Sequence, residues 1–276
     1  MRNLREYCRP QTIEEALRLL TREGVRSAVL SGGTRLAAES RDDVESVIDL
    51  GGLPLAYIQS DNSGLRLGGL TRLQEMIDSP AVACFANGAL TDAARLTSTR
   101  LLRNQGTLAG TLLAREVNSE LAAPLLVLEA EVLIQRLEGS TTLPLADLYE
   151  DLDASIEGAI LTEAFVPAPQ PEARLHRCRV ARTPSDRAIL TVAALTSAIE
   201  GVIKEARLAA AGIGLRPRRL REIESKLKGR RARADDISAV LSRAAARIEL
   251  PQDHIASADY RRSTLQVLIQ RAILGD

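Results

Sequence analysis

Two glycine-containing stretches decide how this chain folds: SGGTRL at Ser31–Leu36 and RNQGTLAGT at Arg103–Thr111. The first stretch follows an apolar run at residues 28–30, and the second follows a segment with helical periodicity. Small residues at such turns leave backbone N–H groups accessible, which suits the close approach of a phosphate. A single turn of this kind usually serves only the chain reversal itself. Two of them together match a diphosphate, which has two ends to hold.

Apolar periodicity outward from these stretches predicts a mixture of strands and helices. A helix that begins after Thr12 and strands at residues 27–30 and 44–50 predict a small β-α-β unit that closes near Ile58. Further on, helices are predicted at residues 90–102 and 121–128, and strands at 65–67, 131–136 and 159–166. The fold class that follows is α+β.

Prolines at positions 167, 169 and 171 mark the clearest linker in the chain. Beyond it, residues 174–181, 189–199 and 202–210 read as strands, and Glu200-Gly201 is a two-residue hairpin signal between the last two. Three helices follow, the last with Ser257 as its N-cap. A three-stranded antiparallel sheet beside three helices is therefore predicted for the C-terminal region.

Composition narrows the classes of function. The chain has 276 residues with 36 Lys and Arg against 36 Asp and Glu, so it has no overall attraction for nucleic acid or anionic lipid. Three scattered cysteines and two histidines predict no metal site, and they cannot supply the four thiolates of an iron–sulfur cluster. The N-terminus lacks the apolar segment of a secretion signal, and no apolar run reaches the about 20 residues of a membrane span. A cytoplasmic protein is expected.

In order and spacing, the two stretches resemble those of the FAD-binding (medium) subunit of molybdenum hydroxylases. That family includes carbon monoxide dehydrogenase and xanthine dehydrogenase, and it carries an Ala-Gly-Gly-Thr-x-Leu loop followed by an Arg-Asn-x-Gly-Thr-Ile-Gly-Gly-Asn loop. The resemblance continues through VIDL at residues 47–50, LRLGGLT at 65–71, APLLVLEA at 123–130, RTPSDRA at 182–188 and SADYRR at 257–262.

The resemblance implies a domain organisation. It places a FAD-binding domain of the PCMH (p-cresol methylhydroxylase) and vanillyl-alcohol-oxidase type at residues 1–167, with subdomains of about 1–58 and 59–167. A C-terminal domain of the molybdenum hydroxylase flavoprotein type follows at residues 172–276, with the three-stranded antiparallel sheet and a three-helix bundle.

The resemblance also implies which residues bind the cofactor. In the first loop these are Ser31, Gly32, Gly33, Thr34, Arg35 and Leu36; in the second they are Thr107, Leu108, Ala109, Gly110 and Thr111. Glu120 stands where the family has an aspartate, and His176 stands where it has an aromatic residue beside the flavin ring. In further departures from the family pattern, Ala109 replaces a glycine, Thr111 an asparagine and Cys178 a lysine. If the glycine has a positive φ, alanine there is strained by on the order of 1 kcal/mol.

The function implied is electron transfer, with no catalytic side chain on this subunit. FAD would receive electrons from a [2Fe–2S] cluster on a small partner subunit and pass them to NAD⁺, a quinone or another acceptor. The oxidation itself would occur at a molybdopterin centre on a large partner subunit. The departures from the family pattern favour an alternative, a scaffold subunit of the same fold with an eroded flavin site.

A basic stretch at residues 216–233 leaves nucleic-acid binding as a further alternative, since phosphate contacts need little else. Against it, Glu222 and Glu224 interrupt the stretch and aromatic residues are only 2% of the chain. Charge runs on helices are usually solvated faces or interface rims, so we expect this stretch to be a rim for partner contacts.

Overall fold

The computed structural model describes residues 3–38, 41–114, 119–183 and 186–275, which form three β-sheets with helices packed against them. The strands are β1 (Glu6–Cys8), β2 (Ser27–Leu30), β3 (Ser46–Asp49), β4 (Ile58–Asp61), β5 (Gly64–Gly68), β6 (Glu131–Arg136), β7 (Gly139–Pro144), β8 (Ile160–Pro167), β9 (Arg174–Val180), β10 (Leu190–Ile199), β11 (Val202–Ala211) and β12 (Arg218–Arg219). The α-helices are α1 (Ile13–Leu20), α2 (Leu73–Asp78), α3 (Pro80–Cys84), α4 (Ala89–Thr97), α5 (Arg100–Arg103), α6 (Leu108–Leu112), α7 (Ala122–Val127), α8 (Leu145–Glu150), α9 (Leu152–Ile156), α10 (Arg221–Leu227), α11 (Ala234–Ala244) and α12 (Ala258–Leu274).

The first sheet carries the first loop at the end of β2. Its strands are parallel in the order β1-β3-β2, and the chain runs from β1 through α1 to β2. The predicted β-α-β unit is therefore present, but its first strand is β1. Sequence periodicity did not predict β1, because a strand of three largely exposed residues is too short to show apolar and polar alternation. Thr12 caps α1, as predicted, and accepts a hydrogen bond from the N–H of Glu15 at 3.1 Å.

The second sheet, β4-β5-β8-β6-β7, is antiparallel and stands behind the second loop. The helix predicted over residues 90–102 is interrupted at Ser98, where extended backbone (φ −165°) separates α4 from α5. Thr99 then caps α5. β7 is absent from the sequence prediction because its residues, GSTTLP, are mostly exposed and lack apolar alternation.

In the C-terminal region, β9, β10 and β11 form the predicted antiparallel sheet, and the short β12 adds to its edge. Glu200 and Gly201 have φ values of 51° and 74°, as the predicted two-residue hairpin requires. Ser257 caps α12 and accepts from the N–H of Tyr260 at 3.2 Å. In the described ranges, no helix combines the length and apolar character that a bilayer crossing needs.

Helix α7 joins the two regions. All six of its residues are buried, and it lies against β10 and β11. Around it, Arg207 and Arg219 of the C-terminal region approach Glu129 at 3.0 and 3.4 Å, and Arg216 approaches Asp153 at 3.9 Å. The start of the basic stretch therefore contacts the chain's own N-terminal region. This corrects the expectation that Arg216 and Arg219 belong to a rim for partner contacts.

Candidate functional site

An open cavity of about 480 Å³ lies where the two loops meet the C-terminal region. This volume falls in the range of about 300–1,000 Å³ that is usual for small-molecule sites. The cavity combines polar loop backbone with an apolar wall that includes Val29, Leu50, Leu70, Ile156, Ile160 and Leu161. All six residues of the first loop line it, as do Thr107, Ala109, Gly110 and Thr111 of the second, whereas Leu108 is fully buried and points elsewhere.

The two loops pack directly against each other, and glycine is required at the contact. A Cβ on Gly32 would lie 2.0 Å from the carbonyl oxygen of Gln105. Close by, the Oγ1 of Thr107 donates to the Oγ of Ser31 at 3.0 Å, and a Cβ on Gly110 would meet both oxygens at 3.0 and 3.1 Å. The small residues of the two stretches therefore serve contact between the loops as well as access for a ligand.

Beside the cavity, the first loop has backbone donors without protein acceptors in the described part of the chain. Gly33 has a φ of 71°, which only glycine adopts without strain, and its carbonyl accepts from the N–H of Ala37 at 3.0 Å. Among the described residues, no protein acceptor takes the N–H groups of Gly33, Thr34 and Leu36, and all three residues line the cavity. Successive N–H groups in such a turn form a concave site for an anion.

The second loop uses its backbone donors inside the protein. The N–H groups of Leu108 and Ala109 donate to the carbonyls of Thr71 and Gly69, both at 2.9 Å. Ala109 lies in the first turn of α6 and is not among the residues with positive φ. The strain considered for alanine at this position therefore does not arise, and these two N–H groups are already committed.

The rest of the second loop forms the cap of α6. The Oγ1 of Thr107 accepts from the N–H of Gly110 at 3.2 Å, and the Thr107 carbonyl accepts from both the N–H and the hydroxyl of Thr111, at 2.9 and 2.8 Å. The expectation that backbone N–H groups from Thr107 to Thr111 contact a diphosphate therefore does not hold for Leu108 to Thr111, whose N–H groups all have acceptors within the protein. At the other end of α6, the Tyr149 hydroxyl donates to the Leu112 carbonyl at 3.1 Å, and burial raises the pKa of Tyr149, which keeps this donor protonated.

The described part of the cavity wall carries cationic side chains. Among the described lining residues, the charged side chains are Arg35, Arg41, Arg187 and Glu120. Arg41 also pairs with Asp43, at 3.0 and 3.2 Å. Because guanidinium groups remain protonated in proteins, this wall is suited to a phosphate or diphosphate.

Two family profiles together match almost the whole chain. The profile described as "FAD binding domain in molybdopterin dehydrogenase" matches residues 2–169, and the one described as "CO dehydrogenase flavoprotein C-terminal domain" matches residues 178–275. This chain belongs to the molybdopterin dehydrogenase flavoproteins. It is an oxidoreductase component of the FAD-binding medium-subunit type, and its family cofactor is FAD.

Relatives of this flavoprotein match it over nearly their full length. It is 25% identical to the glyceraldehyde dehydrogenase medium chain of Sulfolobus acidocaldarius, over 96% of each chain. It is 27% identical to the nicotine 6-hydroxylase medium subunit of Paenarthrobacter nicotinovorans, over 97% of this chain and 95% of that one. A carbon monoxide dehydrogenase structure from Hydrogenophaga pseudoflava matches with a TM-score of 0.91 at 24% identity, covering 99% of this chain and 97% of that one. At that identity the structural match shows the fold.

The residues of the cavity fit FAD at the first loop. Its backbone donors and the three arginines complement a diphosphate, and the apolar wall suits the flat rings at the two ends of the dinucleotide. The fit is one-sided, because the second loop contributes shape to the cavity but few donors.

Glu120 is paired within the protein. Its side chain is 3% exposed, and its carboxylate lies 2.9 Å from Nη1 of Arg177 and 2.8 Å from Nε of Arg179. The Oγ1 of Thr191 donates to it at 3.0 Å. The Arg179 contact has the distance of an ion pair but not the alignment of a hydrogen bond. These contacts join the FAD-binding and C-terminal domains. Glu120 also lines the cavity, and its expected role as a cofactor ligand stays a prediction.

The strand β9 directs His176 away from the cavity. Successive side chains of a strand alternate between its faces, and Arg177 and Arg179 face Glu120. On the other face, His176 lies against Gly275 at the end of α12, and Cys178 packs into the core of the C-terminal domain. Neither is part of the described cavity wall. The expectation that His176 stands beside the flavin ring is not supported, because the strand register places an arginine on that face.

Sequence reasoning missed Arg41 and Arg187. Arg187 belongs to the RTPSDRA segment at residues 182–188, which the resemblance marks, but nothing in the segment singled out this arginine. Arg41 follows the first loop, and only its charge could have pointed to it.

Proposed function

We propose that this flavoprotein transfers electrons from a partner subunit to an external acceptor, with FAD in the cavity between the first loop and the C-terminal domain. Electrons arrive from a [2Fe–2S] cluster on a small subunit, and the substrate is oxidised at a molybdopterin centre on a large subunit. The observation that carries the proposal is the first loop, whose N–H groups at Gly33, Thr34 and Leu36 meet a cavity containing three arginines.

In this proposal the protein binds and orients the cofactor. FAD, when bound, supplies redox chemistry that no side chain can provide. First-loop N–H groups and arginines match the charge of the diphosphate, while Leu50, Leu70 and Ile160 keep water from the apolar wall. Among the described lining residues, the ionisable groups are three arginines and the paired Glu120, so none is suited to act as a general base.

A partner must bring the iron–sulfur cluster. The chain has three cysteines, fewer than the about four thiolates that a cluster needs, and its described residues contain no group suited to hold a metal ion. The relatives named above are called a medium chain and a medium subunit, and these names imply further subunits. The proposal therefore includes a small iron–sulfur subunit and a large molybdopterin subunit.

A scaffold subunit without flavin is the second candidate, and one observation favours it. The second-loop N–H groups of Leu108, Ala109 and Thr111 are all committed within the protein, and so is the Thr111 hydroxyl. A scaffold would keep the contacts with its partners and lose the cofactor.

Affinity purification of the tagged full chain from its native host tests the proposal. We expect both partner subunits to be recovered, with flavin absorbance that survives desalting. Recovery of both partners with no flavin released when the complex is denatured would establish the scaffold instead. Recovery of nucleic acid without these partners, lost steeply as salt is added, would contradict both candidates.

A further inference from the structure

Part of the cavity wall comes from the C-terminal domain. Arg187 and Ala188 line the cavity, and they lie within a short stretch, residues 186–189, that we call the wall segment. It is connected to β9 by the N–H of Ile189, which donates to the Val180 carbonyl at 2.7 Å. The cavity is therefore complete only when this segment of the C-terminal domain is in place.

Two guanidinium groups hold the ends of the wall segment. Nη2 of Arg179 donates to the Asp186 carbonyl at 2.6 Å, and Nη1 of Arg261 donates to the Ile189 carbonyl at 2.7 Å. Arg261 is 1% exposed, and its Nη2 lies 2.7 Å from Oδ2 of Asp253. Both ends are thus fixed through backbone carbonyls by arginines that are themselves paired with acids.

The acid that pairs with Arg179 comes from the other domain. Glu120 of the FAD-binding domain lies 2.8 Å from Nε of Arg179 and also contacts Arg177 at 2.9 Å. A buried charge that loses a partner is strongly unfavourable, so the Glu120 carboxylate stabilises Arg179 in this position. A continuous path runs from Glu120 through Arg179 to the Asp186 carbonyl.

We propose that Glu120 is a positioning residue, which acts through Arg179 to hold Arg187 and Ala188 of the wall segment against bound FAD. This rests on the proposed function, because it assumes that FAD occupies the cavity. It assigns Glu120 an indirect role instead of the direct cofactor contact that the family resemblance implies. FAD affinity and the docking of the C-terminal domain are coupled as a result.

A double-mutant cycle with FAD affinity as its readout separates the two roles. Glu120→Gln keeps the size of the side chain and an acceptor for Arg177 and Thr191 but removes the charge. We expect the FAD dissociation constant to rise about tenfold in each single variant, Glu120→Gln and Arg179→Gln. The FAD dissociation constant of the double variant should be no higher than that of the single variant with the lower affinity. If the fold-increases in dissociation constant of the two single variants multiply in the double variant, the proposal is overturned, because Glu120 then acts independently of Arg179.

Amide hydrogen exchange in the cofactor-free chain gives a readout that does not need FAD. We expect faster exchange at residues 186–189 in Glu120→Gln, and also in Arg179→Lys, which keeps a cation beside Glu120 but shortens the reach to Asp186. Unchanged exchange in folded variants would overturn the positioning role. If the wild-type chain binds no FAD yet these variants exchange faster, the proposed function fails while the path from Glu120 to the wall segment stands.

Glu129→Gln is the matched control. Glu129 also bridges the two domains, through Arg207 and Arg219, but it is 53% exposed and lies outside the described cavity wall. We expect it to leave both FAD affinity and exchange of the wall segment unchanged. Equal effects in Glu129→Gln and Glu120→Gln would show general loosening of the domain junction and would contradict a specific role for Glu120.

Discussion

At Gly32, a single hydrogen atom in place of a side chain allows the two loops to touch. The sequence suggests that this glycine admits a phosphate. The structure adds a reason that no single stretch of sequence could show, since the nearest atom is the carbonyl oxygen of Gln105, more than seventy positions away in the chain. Gly33, by contrast, is required by its own φ of 71°, and a Cβ there would also meet Leu30 at 3.1 Å. For that reason, Gly33→Val would strain the loop itself and is a poor test of ligand contact.

Gly32→Ala should force the two loops apart. Because backbone cannot move aside as a flexible side chain can, we expect a loss in the free energy of unfolding of about 3 kcal/mol, at the upper end of overpacking effects, together with loss of FAD binding. Urea unfolding and FAD titration check both effects. Gly214→Ala is the control, since a Cβ at Gly214 meets nothing within 4 Å, and it should change the unfolding free energy by less than about 0.5 kcal/mol. Equal stability of the two variants would contradict the account of this contact.

Residues of the candidate site could be predicted from the sequence where they belong to a continuous local motif. The first loop is continuous in sequence, and all six of its residues line the cavity. His176 could not be placed in the same way, because a shift of one residue along a strand moves a side chain to the opposite face. Glu120 lines the cavity as its sequence position suggests, but its arginine partners lie more than fifty residues further on and share no motif with it.

At the scale of elements, the N-cap residue of α6 connects the second loop to the first. Its N-cap, Thr107, accepts from the N–H of Gly110 and donates to Ser31 at the start of the first loop. One hydroxyl therefore sets both the start of a helix and the separation of the two loops.

Thr107→Val should change both the stability and the cofactor affinity of the chain. Loss of the cap should lower the free energy of unfolding by about 1 kcal/mol, and loss of the bond to Ser31 should weaken FAD binding several-fold. Thr99→Val is a matched control, because Thr99 caps α5 through the N–H of Leu102 and, among the described residues, its side chain makes no hydrogen bond to the first loop. Calorimetric titration with FAD distinguishes the two variants, and the same loss of affinity in both would refute the bridging role of Thr107.

Elements with strong periodicity could be predicted, and short or exposed ones could not. β6 spans the predicted residues 131–136, and the hairpin at Glu200-Gly201 forms as its dipeptide indicates. β1 pairs with the distant strand β3, and β7 pairs with β6 in an adjacent hairpin. Both strands leave most of their side chains in solvent, so their residues carry no apolar pattern. The break at Ser98 depends on the cap at Thr99, a local signal that the surrounding helical periodicity obscured.

At the scale of the whole molecule, the two domains meet through a buried helix surrounded by ion pairs. The arginines come from the C-terminal domain and the acids, Glu120, Glu129 and Asp153, from the FAD-binding domain. Balanced composition conceals this arrangement, because opposite charges on the two domains cancel in the total. The same arrangement explains why the basic stretch begins inside the molecule, and it lets the C-terminal domain contribute Arg187 to the cavity.

Titration of the cofactor-free full chain with FAD and with riboflavin is the decisive test of whether this cavity binds FAD. We expect saturation at one FAD per chain. We also expect riboflavin to bind at least about 100-fold more weakly, equivalent to about 2.7 kcal/mol, because riboflavin lacks the diphosphate that the first loop and the arginines would hold. No saturable FAD uptake, or equal affinity for the two flavins, would contradict the assignment of this cavity as the FAD site.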